Sequence, residues 1–486
     1  MIFKNNINIY LLFICLLMHI SIAVGRITSA FNQDVYPLCT IIEPKFLLHK
    51  RIAFYKEEND QSYEALRDTV QLDISPFGIS ADRGRTSNGL LPANVTQNGF
   101  ADSSSEPKAY VPLGDLEGRM NFIPLVFGSE PINQNLPPTL QTAKEVIFGP
   151  VLDGNGNIDD GQYIDPQENL GCKSIYLKYS KKGIRFALSG RFSKDFGGSL
   201  SAGVASIKNS LQKIVDTTTN PDEVADPFDP TVNGTSIKSD VETYLVKEFS
   251  NVLSELNQAL TDNSSRTSIE TVECSLFWRH VFELMPEYDD WLNILLIPYI
   301  EGTASVSPGA KKRAAFVYDP VFGNNQHHAV GITTGMYIDF IETVYIETSF
   351  GYTHFFKHDF DNVPVPNSPY QVNLFPFSTD ITVKPGANWH FSFKMGCYQF
   401  IDKLSCFIEY VMLEHKKNTV TLRTEDPAFL PDALEAASPF KVKLCNIAIS
   451  YAFSPNASVG FLWQAPISQR NAYKSTTVML SLNAFI

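Results

Sequence analysis

Residues 329–355 read AVGITTGMYIDFIETVYIETSFGYTHF, and the alternation in this stretch decides the fold. Val330, Ile332, Met336, Ile338 and Phe340 take one parity; Gly331, Thr333, Gly335, Tyr337 and Asp339 take the other. After a tight turn, Val344, Ile346, Phe350 and Tyr352 alternate with Tyr345, Glu347, Ser349 and Gly351. Successive side chains of a strand point to opposite faces, so each half is a strand with one oily and one polar face. Two architectures give this pattern: a soluble sandwich with strands of ~5–6 residues, or a transmembrane barrel whose strands need ~9–11 residues to cross the bilayer. The runs are too long for the first and fit the second.

The pattern recurs along the chain. In Gly183–Phe192, Ile184, Phe186, Leu188 and Phe192 face away from Arg185, Ala187, Ser189 and Arg191. Strands are expected near Val70–Ser80, Glu117–Phe127, Gly183–Lys194, Gly198–Lys208, Ile294–Ser305, Ala329–Ile341, Thr343–Phe355, Trp389–Phe400, Leu404–His415, Lys441–Phe453, Ala457–Ala465 and Ser475–Ile486. The fold class expected is therefore all-β, a transmembrane antiparallel up-and-down β-barrel of about 12 strands, within a range of about 10–16, an even number as single-chain bacterial barrels usually have. Tight turns (Asp339–Thr343, Phe400–Lys403, Phe453–Asn456) alternate with long polar connections (Lys357–Gly386, Lys416–Ser438, Ala465–Lys474), which is the outer-membrane barrel pattern. The N-terminal half is not self-consistent. With both chain ends periplasmic, the turn at Asp195–Gly197 falls outside, unless Cys172–Tyr179 or Arg313–Asp319 are further strands. Pro76 and Pro124 also interrupt two of the strands, where proline removes a ladder hydrogen bond.

Composition agrees. The chain has 486 residues, 44% hydrophobic and 19% charged, below the usual ~25% charged. Disorder throughout is excluded, because there is ample apolar surface to bury. A net charge of -13 argues against a nucleic-acid partner. Beyond the N-terminus no run reaches the ~20 apolar residues of a spanning helix. The N-terminus itself carries Lys4 and the apolar block Ile9–Val24, read as a signal peptide over 1–25 with cleavage after Gly25, or as a second choice Ala30. The competing reading is a single anchoring helix. Residues 26–69 are then an N-terminal periplasmic segment and 70–486 the barrel. Without Cys15, six cysteines remain: Cys39, Cys172, Cys274, Cys397, Cys406 and Cys445. An oxidising compartment permits disulfides among them. For Cys397 and Cys406, on adjacent strands, lipid-facing burial is preferred to a bond.

One segment, 237–285, breaks the alternation. Ser239 and Glu242 form a capping-box pair, and Val241, Leu245, Phe249, Val252, Leu256 and Leu260 follow helical spacing. A second helix is expected over Ser268–Leu284, stopped by Pro286. This helical insert either plugs the barrel or caps its rim, and the cap is preferred.

Groups that carry chemistry are few. Asp153, Asn155, Asn157 and Asp159 are spaced like the opening of a calcium loop, but Ile158 stands where such a loop needs Gly and Ile164 where it needs Glu. A plain Asp/Asn/Gly turn is the preferred reading, and no other cofactor is expected. His327 and His328 are metal-ligand types, with a polar rim as the preferred reading. His358, Asp359 and Asp361 resemble the acid/His cluster of an outer-membrane protease. No nucleophile elbow, P-loop or dinucleotide fingerprint is present, so no enzyme activity is expected. The polar-parity charges Asp73, Arg119, Arg185, Arg191, Asp339, Glu347, Lys394, Glu409 and Lys443 are the candidate pore lining. They either set a pore's transverse field or simply pair across a filled interior.

Through the segments Pro320–Phe360 and Ser454–Leu480, the chain resembles the porin-like outer-membrane β-barrel proteins of Gram-negative bacteria, and in particular an uncharacterised family of secreted barrels. The resemblance covers most of the chain beyond Gln71. It implies a bacterial outer-membrane location, surrounding outer-membrane lipid, insertion by the barrel-assembly machinery and, by analogy alone, passage of small hydrophilic solutes. A homo-oligomer is compatible with it. The last strand runs to the chain end, as the assembly signal requires, although Phe485 is penultimate and Ile486 terminal. A non-conducting surface barrel, an adhesin or structural protein, is the alternative.

Overall fold

The computed structural model describes residues 70–85, 172–216 and 265–485 with short breaks, and shorter pieces at 31–37, 111–121, 151–159 and 251–263. Twelve long strands form the wall. They are β1 (Val70–Arg85), β2 (Cys172–Arg191), β3 (Phe196–Asp216) and β4, which runs Ser265–Ile269 and continues as Val272–Arg279. Then follow β5 (Ile294–Val306), β6 (Ala329–Phe340), β7 (Val344–Phe355) and β8 (Asn388–Ile401). The last four are β9 (Leu404–His415), β10 (Phe440–Ser454), β11 (Ala457–Arg470) and β12 (Ala472–Phe485). Each pairs antiparallel with its sequence neighbours, and β12 pairs back onto β1, so the sheet closes with no free edge.

Outward parity is apolar on nearly every strand. Ile184, Phe186 and Leu188 of β2, Leu200 of β3, Leu276 of β4, Ile332 of β6, Phe350 of β7 and Leu480 of β12 are all exposed. A continuous oily face of this kind would aggregate in water and is stable against lipid. No helix among the described residues is long and apolar enough to cross a membrane; the strands do the crossing.

Eleven of the twelve expected strands are wall strands, and one exchange repairs the topology. Of residues 117–127 the described part is the two-residue piece Met120–Asn121, paired with Lys173 and Cys172. The expected second helix over 268–284 is instead β4. Its alternation is interrupted at Glu270–Thr271, where Arg266, Ser268 and Glu270 face inward on one parity and Ser275, Phe277 and Arg279 on the other. A bulge inserts one residue and shifts the inward set, which destroys the period of two and imitates a helical spacing. With β4 in place, the turn after Arg191 lies at the same end as both ends of the wall, beside the turns after Arg279, Phe340, Ile401 and Ser454. The long connections 86–171, 217–264, 307–328, 356–387 and 416–439 all lie at the other end, which is the outer side.

Smaller differences have local causes. Cys172–Tyr179 is the outer half of β2, and Arg313–Asp319 is a turn carrying an isolated bridge from Phe316 to Ala259. The expected long loop 465–474 is strand to Arg470, with Asn471 alone making the turn at φ 50; asparagine tolerates that left-handed backbone. Pro76 lies inside β1, and the β12–β1 ladder skips Ser75 and Pro76, as a missing N–H demands. The signal peptide, the first half of the helical insert, Pro124 and Cys39 lie outside the described residues.

Candidate functional site in the lumen

The inner half of the lumen carries charged and apolar residues side by side, with Leu295, Ile297, Tyr337 and Tyr345 forming a small buried cluster there. Asp73, Arg185, Arg191, Asp339, Glu347, Lys394 and Glu409 all sit on inward parity. Lys443 does not: Leu444 and Val442 are the fully buried inward residues of β10, and Lys443 lies opposite Met412 on the outward face. The expected placement runs against the strand's own alternation: Lys443 shares the parity of Ile447 and Ile449, and the bulge there leaves its extra residue, Ile467, on β11. Arg119 lies outside the described residues.

Three of these charges form one cluster. Lys394 Nζ lies 3.2 Å from Glu347 Oε2 and 3.4 Å from Glu409 Oε1. The remaining carboxylate oxygens are also satisfied: Tyr299 Oη donates to Glu347 Oε1 at 2.9 Å and Asn446 Nδ2 to Glu409 Oε2 at 2.8 Å. The register dictates the arrangement, because Glu347, Lys394, Glu409 and Asn446 are direct cross-strand partners on β7 to β10. A second cluster sits at the β4 bulge, where Glu270 takes both Lys181 and Arg185 (Arg185 Nη2 at 2.9 Å). Asp73 accepts from Ser75. Much of the lumen charge is thus paired along the wall. Tyr299, Asn446, Lys181 and Glu270 were not singled out from the sequence; Tyr299 was legible by parity on an expected strand, whereas Glu270 was hidden in the supposed helix.

The wall is kept thin by a repeated pairing of ring and glycine. Tyr299 lies opposite Gly335, Tyr345 opposite Gly396, His390 opposite Gly351, Phe277 opposite Gly197 and Phe77 opposite Gly183. A Cβ on Gly335 would come within 2.5 Å of the Tyr299 ring and one on Gly351 within 2.0 Å of His390. The rings therefore lie flat over the neighbouring strand instead of reaching toward the barrel axis, the arrangement by which an aromatic covers a strand glycine.

The outer half of the lumen is filled. Phe77 and Ile79 of β1, Ile175 and Leu177 of β2 and Ile207 of β3 face inward and pack with Leu113, Leu116, Leu253, Leu256, Leu260, Tyr318 and Phe322 from the long connections. Residues 251, 253 and 254 are helical. The described part of the insert is therefore buried against the inner wall, contrary to the preferred expectation of a rim cap. Three connections meet at the Gly114 carbonyl, which accepts from Tyr318 Oη at 3.0 Å and Asn373 Nδ2 at 3.2 Å. Gly114 is required there, since a Cβ would lie 2.5 Å from Ile175 Cβ. Asp115 anchors the same turn to β2 through Ser174 and the Ile175 N–H. On the far side a small sheet (His358–Pro364, Ser378–Lys384, Thr419–Leu422) and the helix Pro431–Ala437 belong to a second apolar cluster with inward Phe355, Leu413 and Val442. Leu374 belongs to the first cluster and Phe375 to the second, so one segment bridges both.

The remaining candidates are structural at the rim. His327 is buried, and its Nδ1 lies 2.9 Å from the Phe356 carbonyl, which only accepts, so the proton sits on Nδ1. Asp361 pairs with Arg423 at 2.5 Å, and Asp359 accepts from Thr382 Oγ1 at 2.6 Å. Among the described residues no group of three His, Cys, Asp or Glu could hold a metal ion. Asp153, Asn155 and Asn157 lie outside the described residues, and Asp159 ends a two-residue strand paired with Val151–Leu152. Cys274, Cys397, Cys406 and Cys445 are free thiols.

No protein-family model and no curated protein matches the sequence. Among solved structures the chain is similar to the COG4313 outer membrane channel from Pseudomonas putida F1, at 8% identity and TM-score 0.44, covering 88% of this chain and 100% of that one. It is similar to the translocator domain of autotransporter NalP from Neisseria meningitidis at 7% identity and TM-score 0.29, over 87% and 93% of the two chains. It is also similar to the CymD monoaromatic hydrocarbon channel, at 9% identity and TM-score 0.30, over 94% and 98%. A closed antiparallel sheet that turns Phe, Leu and Ile outward around its circumference is stable only with hydrocarbon against it, and this chain has the fold of a transmembrane β-barrel.

Proposed function

We propose that the barrel is a channel for small hydrophilic solutes, constricted in its outer half by inward-folded connections. The observation that carries this reading is the inner half of the wall, where rings lie flat over glycines and the axis is bordered by paired charges and hydroxyls. A wall of twelve strands encloses more space than its own side chains fill. Glu347, Lys394 and Glu409, paired on one side of the wall, would give the passage a compensated polar lining that favours polar over apolar solutes. The packed apolar outer half favours the alternative, a non-conducting surface barrel. Planar-bilayer recording of the purified protein separates the two. We expect small, steady conductance that rises when both donors to the Gly114 carbonyl are removed (Tyr318→Phe with Asn373→Ala). Silence of both proteins at every voltage refutes the channel.

A further inference from the structure

The outward face of β1 to β4 changes character abruptly. Ile184, Val204 and Ile269 lie side by side across β2, β3 and β4 and form the last apolar row before the outer rim. The next row is Gly78, Lys182, Ser206 and Thr267, and the one above it holds Ser80, Ser180, Lys208 and Ser265. Lys178 follows on β2, opposite Ser210. Lys178, Lys182 and Lys208 are exposed and share one face, because Lys208 is directly opposite Ser180, which the other two lysines flank. Diagonal neighbours of this kind are ~7–8 Å apart. No carboxylate pairs with any of the three among the described residues. The nearest acid on the β1 side, Asp82, faces Arg83 at 3.5 Å. Gly78 leaves open space in the row, with nothing within 4 Å of where a Cβ would stand.

We infer that this patch is a binding site for the phosphate groups of an outer-leaflet lipid. Its height settles the partner: the apolar row below marks the edge of the hydrocarbon, so the lysines and serines stand at headgroup level. Its side settles the leaflet, since the patch lies toward the end that carries the long connections. Its chemistry settles the group recognised, because three ammonium groups interleaved with hydroxyl donors suit a phosphate monoester, which offers charge and several acceptors at once. The site is independent of whether the lumen conducts.

The test uses the full-length protein in a neutral detergent, with diphosphorylated lipid A, the same glycolipid without its phosphates, phosphatidylcholine and inorganic phosphate as probes. Native mass spectrometry reads the lipid retained. We expect preferential retention of the phosphorylated glycolipid that inorganic phosphate does not displace. Retention should weaken by roughly fivefold for each lysine converted to glutamine, and about a hundredfold for Lys178→Gln, Lys182→Gln and Lys208→Gln together. The triple arginine replacement keeps retention, and Lys403→Gln, at a turn on the opposite end, leaves it unchanged. A heat-modifiable gel shift verifies folding of each variant; if the triple glutamine variant does not fold, the single variants carry the comparison. Equal retention of lipids with and without phosphate, displacement by inorganic phosphate, or glutamine variants that bind like the parent overturns the proposal.

Discussion

Replacing Lys394 by Met should destabilise the barrel by about 3–5 kcal/mol, the usual cost of removing one partner from a buried ion pair. Glu347 and Lys394 are 8% exposed and Glu409 11%, so water cannot substitute for the lost ammonium. At 3.2 and 3.4 Å, each contact carries about 5 kcal/mol of Coulomb attraction at an effective dielectric of about 20, offset by the desolvation of three charges. Adding Glu347→Gln and Glu409→Gln should recover most of the loss, since Tyr299 and Asn446 can still bond to amide groups. Urea unfolding in lipid vesicles, followed by tryptophan fluorescence, measures both. A Lys394→Met barrel within 1 kcal/mol of the parent, or a triple variant no more stable than Lys394→Met alone, refutes the view that these three groups form one compensated cluster.

Gly351→Val should evict the His390 ring into the lumen, costing about 1–3 kcal/mol and lowering any conductance, whereas Gly78→Val, which meets nothing within 4 Å, should leave both unchanged; bilayer recording and urea midpoints report the contrast. Leu480→Arg, on the outward face of β12, should cost about 2–4 kcal/mol in vesicles, as charges at the middle of a barrel's lipid face do. The rim around His327 should loosen in acid. Burial holds that imidazole down to about 4, against the opposing pull of the Phe356 carbonyl. Its folded value lies below its unfolded value near 6.5, so its contribution is full above that pH and is lost as pH falls toward 4. Amide exchange of residues 322–328 should accelerate across that window, and His327→Gln should flatten the dependence.

The wall was legible where one face meets lipid and the other meets polar lumen, because only then does hydropathy carry the period of two. Val330 to Tyr352 is the clear case, and Glu347, Lys394 and Glu409 could be placed from parity alone. Legibility failed in two physically distinct ways. At Glu270–Thr271 a bulge shifts the parity, so β4 reads as a helix. In the outer halves of β1 to β3, the inward residues are as apolar as the outward ones, since the plug covers them. Ile175, Leu177 and Tyr179 alternate with Tyr176, Lys178 and Ser180, which looks like a soluble strand if a strand at all. The plug contacts, Gly114 with Tyr318 and Asn373, join residues far apart in sequence with no local period. Nothing short of the closed barrel brings them together.

The same apolar inner wall limits how the proposed channel could open. If the plug swung out as a unit, Phe77, Ile79, Ile175, Leu177 and Ile207 would face water, along with the plug residues that cover them. At about 1.5–3 kcal/mol for each large side chain, the wall alone would lose about 7–15 kcal/mol, comparable with the whole stability of an ordinary domain. Ejection of the plug is therefore not a workable cycle. Movement confined to the Gly114 junction breaks two hydrogen bonds at about 1 kcal/mol each and leaves the apolar packing in place. Opening should accordingly be local: a passage admitted beside Tyr318 and Asn373, with the fixed polar wall below it deciding what passes.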